Sequence, residues 1–190
     1  TRIKIINKEY LVTNEISHLE NIFDNTPSLT YSGGTSRARY FQIRGIGEIS
    51  QFSGEGAPHY YVSTIVDDID FSGIGGIALL DDLRQIEIFK GPQSSTFGPN
   101  AMAGVINIKS MDPGYDRNLS GKISIGSYSL NKASISSNFK ITQNLISRIS
   151  LVKNYSDGMI YNEFKDKYNT NSINEVMLRV KMTYKINDNF

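Results

Sequence analysis

The sequence predicts a small α+β domain, built from a mixed sheet and short helices, followed by a run of antiparallel strands. Residues 86–113 hold two alternating strands separated by glycines, and long segments after residue 116 alternate polar and apolar side chains. The charge also changes sign: residues 1–115 carry 9 Lys+Arg against 13 Asp+Glu, whereas residues 116–190 carry 11 against 6. We predict a domain border after residue 115. One domain with uneven surface charge is the alternative.

The first region is predicted to consist of short elements joined by frequent turns. Asn14 is expected to cap a helix with one apolar face, which ends before Pro27. Strands are expected at 40–44 and 60–66, followed by a glycine-rich loop and a short helix at 77–83. Each element is short, so this domain depends on many turns.

Two further strands are predicted at 85–90 and 104–110, where β-branched residues alternate with polar ones. The segment between them contains a Gly-Pro stop and a glycine where the chain has to turn sharply. Together with two earlier positions, these residues are expected to form structural turns: Gly45, Asp67, Gly91, Pro92, Gly98 and Gly104.

Composition excludes several classes of function. The 190 residues contain no cysteine and two histidines, His18 and His59, without metal-ligand spacing, so we expect no metal site and no cofactor. Serines stand scattered in turns with no paired base, which argues against an enzyme. No apolar run approaches the ~18 residues of a membrane-spanning helix, so any membrane contact is expected to involve strands.

The residues from 86 to 113 resemble the core signature of the plug domain of TonB-dependent outer-membrane receptors. Residues 41–47 are similar to the same family's I-R-G-x-G element. Residues 66–69 resemble its x-x-D-G-V turn, although Asp68 stands where the family usually has glycine. Aspartate tolerates a left-handed turn better than most residues, so the turn is expected to survive. The resemblance implies a plug over 1–115 and the first part of a barrel of about twenty-two strands, most of which lies outside this chain.

Residues 116–190 are predicted to supply about four barrel strands, at 119–126, 132–141, 145–153 and 175–186. One side of each strand is apolar and the other polar, and a longer loop spans 157–172. A soluble antiparallel sheet has the same pattern. The upstream resemblance favours an incomplete transmembrane β-barrel, since open strand edges are costly within lipid.

The resemblance also implies the functional residues. Arg44 and Lys90 match basic residues that pair with acidic side chains on the inner barrel wall; solvated strand-end charges are the alternative. Ligand contacts are expected from plug loops at 30–37, 46–57 and 71–77. The residues expected to bind there are Arg37, Gln51, Phe52 and Phe71, although ordinary polar loop residues would look the same.

The function implied is energy-coupled uptake of a scarce nutrient across the bacterial outer membrane, most often an iron-siderophore complex. The implied partners are membrane lipid, a small-molecule ligand such as a metal chelate, and a TonB-type coupling protein that binds upstream of Thr1. No nucleic acid is expected, because the basic excess is small and spread over alternate positions. A soluble β-rich binding or adhesion module and a phosphate-binding enzyme are the alternatives from other classes.

Overall fold

The computed structural model describes residues 2–23, 25–32, 40–48, 60–77 and 79–186. The chain divides into two compact units, Thr1–Ser110 and Met111–Phe190. The border expected after residue 115 stays a prediction.

The first unit is an α+β domain with two sheets. A five-stranded sheet has the order β1-β7-β8-β5-β6, and a three-stranded sheet has the order β2-β3-β4. Strands β5 and β8 run parallel, whereas the other pairs are antiparallel. The strands are β1 Arg2–Asn7, β2 Leu29–Ser32, β3 Tyr40–Ile43, β4 Ile46–Gly47, β5 Val62–Val66, β6 Ile69–Asp70, β7 Leu83–Lys90 and β8 Gly104–Ser110.

The larger core of this unit lies on one side of the five-stranded sheet, and a smaller cluster around Val105 is buried on the other side. Alternation in β7 and β8 turns Ile86, Ile88, Ile106 and Ile108 to the same side, where each is at most 1% exposed. Burying one such side chain contributes about 1.5–3 kcal/mol. The isoleucines pack with buried residues of the three-stranded sheet and of the segment before it, so the alternating strands organise the whole unit.

The helix expected after Asn14 is wrong. The helix α1 spans Lys8–Thr13 and begins about two turns earlier, because the Asn7 side chain accepts a hydrogen bond from the Tyr10 N–H at 3.0 Å. Asn14 is the C-cap of α1 instead. Of the apolar residues expected on that helix, Ile16, Leu19 and Ile22 are buried and Phe23 is half-buried. Only Leu19–Ile22 are helical, as a single 3₁₀ turn.

The prediction of a helix at 77–83 is also wrong. The chain forms a 3₁₀ turn at Gly75–Ile77, and Leu83 already begins β7. Leu79 and Leu80 are buried without being helical. These two residues are apolar because they pack in the core. A segment this short has too little helix stability of its own to override that packing. A second short helix, α2, spans Ser94–Phe97.

The second unit is an antiparallel four-stranded sheet with the order β14-β11-β10-β9, and it does not close on itself within the described residues. A hairpin, β12 with β13, lies within the loop of 157–172; the sequence did not predict it. The strands are β9 Leu119–Gly126, β10 Leu130–Lys140, β11 Leu145–Ser156, β12 Ile160–Asn162, β13 Lys167–Thr170 and β14 Ile173–Tyr184.

The four-stranded sheet has two unlike faces, because an uninterrupted register keeps alternate residues on the same side. We call the first the apolar face; its larger side chains are all 37–79% exposed, and they are Leu119, Ile123, Ile125, Ile135, Phe139, Ile149, Leu151, Tyr155, Val176, Leu178, Val180, Met182 and Tyr184. The opposite, polar face includes Ser120, Lys122, Ser136, Asn138, Arg148, Ser150, Asn154, Glu175, Arg179 and Lys181. A sheet with one exposed apolar face is unfavourable in water.

Among the residues that the structure describes, no helix has the length and apolar character needed to cross a membrane.

Replacing Ile106 by Ala is expected to lower the free energy of unfolding of the first unit by about 2–5 kcal/mol, because the side chain is fully buried and leaves a cavity. The matched control is Ile3→Ala, at an edge-strand position that is 52% exposed. Chemical denaturation followed by circular dichroism measures both. Equal losses in the two variants would contradict the placement of the core.

Candidate functional site

A cluster of basic side chains lies at one end of the five-stranded sheet. Lys90 ends β7 and is only 8% exposed, and its ammonium donates a hydrogen bond to the Pro27 carbonyl. The antiparallel register places Arg2 opposite Lys90 and Lys4 opposite Ile88, so β1 brings two more cations to the same face. Lys90 therefore stabilises the chain turn at residue 27 while lying among like charges.

Arg44 joins this cluster from the three-stranded sheet. It occupies the turn between β3 and β4 with φ +55°, and its backbone N–H donates to the Ser28 carbonyl at 2.8 Å. The consecutive carbonyls of Pro27 and Ser28 are thus both used by residues of the cluster. We call Arg2, Lys4, Arg44 and Lys90 the basic cluster.

The positive charges of the basic cluster repel one another. Burial, followed by the charges of Lys4, Arg2 and Arg44, lowers the pKa of Lys90 below its usual 10.5. In the part of the chain described here, no acidic side chain forms an ion pair with any of the four cations. An anionic group supplied from elsewhere would be favoured at this position.

The residues expected at turns occupy unlike positions. Asp67 and Asp68 have φ +46° and +68°, as a two-residue hairpin turn between β5 and β6 requires. Gly45, Gly91 and Gly98 also have positive φ, at +77°, +128° and +90°. Pro92 follows Gly91 in an exposed irregular segment, and Gly98 ends α2.

Asp67 has a second role, which the sequence did not indicate. Its carboxylate accepts hydrogen bonds from the Ser110 N–H at 2.9 Å and from the Ser110 hydroxyl at 2.6 Å, and its own N–H donates to the Ile108 carbonyl. The turn after β5 is therefore fixed to the end of β8. A charged acceptor strengthens such bonds to about 1.5–3 kcal/mol each.

Gly104 begins strand β8, as the strand expected at 104–110 requires, and the turn also expected there is not formed. A Cβ atom at this position would lie 2.3 Å from the Phe89 carbonyl oxygen and 2.5 Å from Cδ1 of Ile43. Glycine is needed here chiefly because the backbone of the neighbouring strand β7 lies too close for a side chain. The sequence motif alone does not distinguish this role from a turn.

Of the residues expected to bind ligand, the structure describes one. Phe71 is half-buried in the loop after β6, where its N–H donates to the Thr64 carbonyl at 2.8 Å and its own carbonyl accepts from Ile74 and Gly75. The loop around it is held by these bonds. Arg37, Gln51 and Phe52 lie outside the described residues.

Sequence reasoning missed Arg2 and Lys4 as members of the basic cluster. The signal was present: Arg2 to Ile6 alternate basic and apolar residues, which is a strand pattern. The hydrogen bond from Lys90 to Pro27 joins residues 63 positions apart, and no local pattern indicates such a contact.

A family model described as TonB-dependent Receptor Plug Domain matches residues 1–105. The match therefore covers more than half of the 190 residues, including the basic cluster and the residues expected at turns.

Several solved receptor structures have a similar fold. The ferric yersiniabactin uptake receptor FyuA from Yersinia pestis matches 95% of this chain with a TM-score of 0.80 and 19% identity. The siderophore receptor PiuA from Acinetobacter baumannii matches 85% with a TM-score of 0.69 and 18% identity. The ferripyoverdine receptor of the outer membrane of Pseudomonas aeruginosa matches 98% with a TM-score of 0.74 and 12% identity.

This chain spans only 28%, 22% and 23% of those three receptor chains. At these identities the likeness establishes a shared fold, and it extends over both units of the chain.

Lys90→Met is expected to remove a pH dependence of stability. Because the folded-state pKa of Lys90 is lowered, the folded chain binds fewer protons than the unfolded chain between that pKa and 10.5, and the free energy of unfolding rises with pH across this window. The methionine variant lacks this rise. Urea titrations at a series of alkaline pH values measure the difference, with Lys8→Met as the control because Lys8 is exposed on α1. Parallel curves for Lys90→Met and the parent would contradict the burial of this cation.

Proposed function

The chain belongs to the family of TonB-dependent receptor plug domains, and we propose from this premise that it takes part in energy-coupled uptake of an iron-siderophore complex. Its first unit is the plug, its second unit supplies barrel strands, and its location is the bacterial outer membrane. The family is one of receptors and not of enzymes. The observation that carries the proposal is a family-matched plug joined directly to a sheet with an exposed apolar face.

The substrate is proposed by analogy of fold. FyuA and PiuA are described as a ferric yersiniabactin uptake receptor and a siderophore receptor. A chelated ferric ion is too large and too scarce to rely on unaided diffusion, which is the reason for coupling uptake to energy. The uptake experiment described below identifies the class of siderophore.

The coupling protein is proposed to act on the segment before Thr1. Strand β1 is the first element after that segment, and it lies at an edge of the five-stranded sheet, where it pairs with β7 alone. A force applied to the chain before Thr1 would act on β1 before it acts on the inner strands of the sheet. Edge strands open at lower free energy than central ones, so a rearrangement beginning at β1 is the least costly route to an opening.

The basic cluster is proposed to bind acidic side chains of the inner barrel wall. Its four cations include Arg44 and Lys90, and the plug itself supplies them with no ion pair among the described residues. A carboxylate at this position would offset the repulsion that lowers the Lys90 pKa. Breaking such a buried pair costs about 3–5 kcal/mol, enough to hold the plug against thermal motion.

Ligand binding is proposed for the plug loops that contain Arg37, Gln51, Phe52 and Phe71. A cation, an amide and two aromatic rings suit a ligand that combines anionic metal-binding groups with apolar rings. Phe71 supports the proposal because hydrogen bonds hold its backbone in a defined position before any ligand arrives.

The test is uptake of radioactive iron by cells that carry the whole receptor containing this chain and no other receptor for the chelate. A panel of ferric catecholate, hydroxamate and mixed siderophores serves as substrate. We expect uptake of at least one chelate, and loss of uptake but not of binding when the coupling protein is absent. A receptor that reaches the outer membrane and neither binds nor imports any of them would contradict the proposal.

Phe71→Ala is expected to weaken binding of the transported chelate roughly two- to tenfold, because an aromatic contact contributes about 0.5–1.5 kcal/mol. Ile69→Ala is the matched control, because Ile69 lies in the neighbouring strand β6, outside the proposed ligand loops, and is 59% exposed. Titration of purified receptor with the ferric chelate measures both affinities. Equal affinity in parent and Phe71→Ala would remove this residue from the ligand site.

A further inference from the structure

The segment between the last strand of the plug and the first strand of the second unit is held against the polar face of the four-stranded sheet. We call residues 111–118 the linker. The linker belongs to the second unit, and its contacts with β10 and β14 all lie within that unit. It connects the two units, and polar contacts with the sheet hold it in a defined position.

Three polar side chains form a row across the sheet beneath the linker. The register places Asn138 of β10 directly opposite Arg148 of β11, and Arg148 directly opposite Lys181 of β14. All three lie on the polar face, so their side chains are neighbours at one level of the sheet. We call them the polar row.

Arg148 is the centre of the polar row. It is 5% exposed, and its guanidinium donates to Oδ1 of Asn138 at 2.8 Å and to Oγ of Ser136 at 3.0 Å. The Asn138 amide is thereby oriented with its nitrogen toward the linker. That nitrogen donates to the Asp116 carbonyl at 3.2 Å, and the Asn138 backbone N–H donates to the Asn118 carbonyl at 3.1 Å.

An ion pair holds the N-terminal end of the linker. The Lys181 ammonium lies 2.8 Å from a carboxylate oxygen of Asp112. Because Arg148 and Lys181 are like charges directly opposite one another, the Asp112 carboxylate also reduces their repulsion. Between the two ends, a Cβ atom on Gly114 would lie 3.0 Å from Nδ2 of Asn138, so the linker passes close to the row.

The spacing fits an extended path across the strands. From β14 to β10 the sheet spans two strand separations, or about 9.6 Å. The four residues from Asp112 to Asp116 reach up to ~13–14 Å when extended. The linker therefore has enough length to bind Lys181 and Asn138 together, with little slack left over.

We propose that the polar row is a clamp that holds the linker in one extended path across the four-stranded sheet. Only Met111 separates the end of β8 from Asp112, so the clamped segment begins almost where the last strand of the plug ends. Resting on the proposed function, this assigns Asn138, Arg148 and Lys181 as positioning residues that keep the linker in place while the plug rearranges during uptake.

The test measures a distance in the whole receptor that contains this chain, purified in detergent. This chain contributes no cysteine, so spin labels attach within it only at Tyr115→Cys on the linker and Ile125→Cys on β9. Both positions are exposed, at 52% and 79%. Pulsed electron paramagnetic resonance is expected to give a single narrow distance distribution. A broad distribution in the parent would overturn the clamp.

The clamp is then broken by Asp112→Asn with Asn138→Ala, which is expected to at least double the width of the distribution. The control carries the same two kinds of change in the β12–β13 hairpin, Asp166→Asn with Asn162→Ala, and is expected to keep the parent width. A clamp variant as narrow as the parent would overturn the proposal.

A charge exchange keeps the proposal testable if the double variant fails to fold. Asp112→Lys places two cations together and is expected to broaden the distribution, whereas Asp112→Lys with Lys181→Asp is expected to narrow it again. Absence of this rescue in folded receptor would count against the ion pair. The distance is read without ligand or coupling protein, so the clamp can fail while uptake persists, and uptake can fail while the clamp is confirmed.

Discussion

The structure depends on one constraint: alternate residues of an antiparallel strand lie on opposite faces of the sheet. In β9, β10, β11 and β14 an uninterrupted register carries this alternation across the whole sheet. The consequence is an apolar face whose side chains remain 37–79% exposed. Exposing apolar surface to water costs about 25 cal/mol per Å². The same surface in contact with lipid hydrocarbon does not carry this cost. The outer-membrane location gives that face a suitable solvent.

The polar face and the plug follow from the same constraint. Side chains excluded from the apolar face gather on the other side, where Arg148 can be buried because Asn138 and Ser136 satisfy its hydrogen bonds. In the plug, alternation buries the isoleucines of β7 and β8 and carries Lys90 to the end of the sheet among other cations.

The sequence predicted the elements that local pattern determines. Strand β9 was expected with its observed bounds, and β8 likewise, because alternation and flanking glycines or prolines define them. The prediction of a helix after Asn14 was wrong because another asparagine, Asn7, caps a helix that begins about two turns earlier. Strand β1 was missed although its alternation was visible. The Asp67–Ser110 and Lys90–Pro27 hydrogen bonds join distant residues, and only the folded chain brings them together.

Spin labels placed singly at successive positions from 174 to 184 along β14, in receptor reconstituted into lipid vesicles, show whether the apolar face contacts hydrocarbon. Oxygen concentrates in hydrocarbon, so we expect frequent collision of oxygen with labels at positions 176, 178, 180 and 182 and infrequent collision at the odd positions between them. Uniformly low oxygen collision, with the same side chains packed inside a water-soluble monomer, would contradict this expectation.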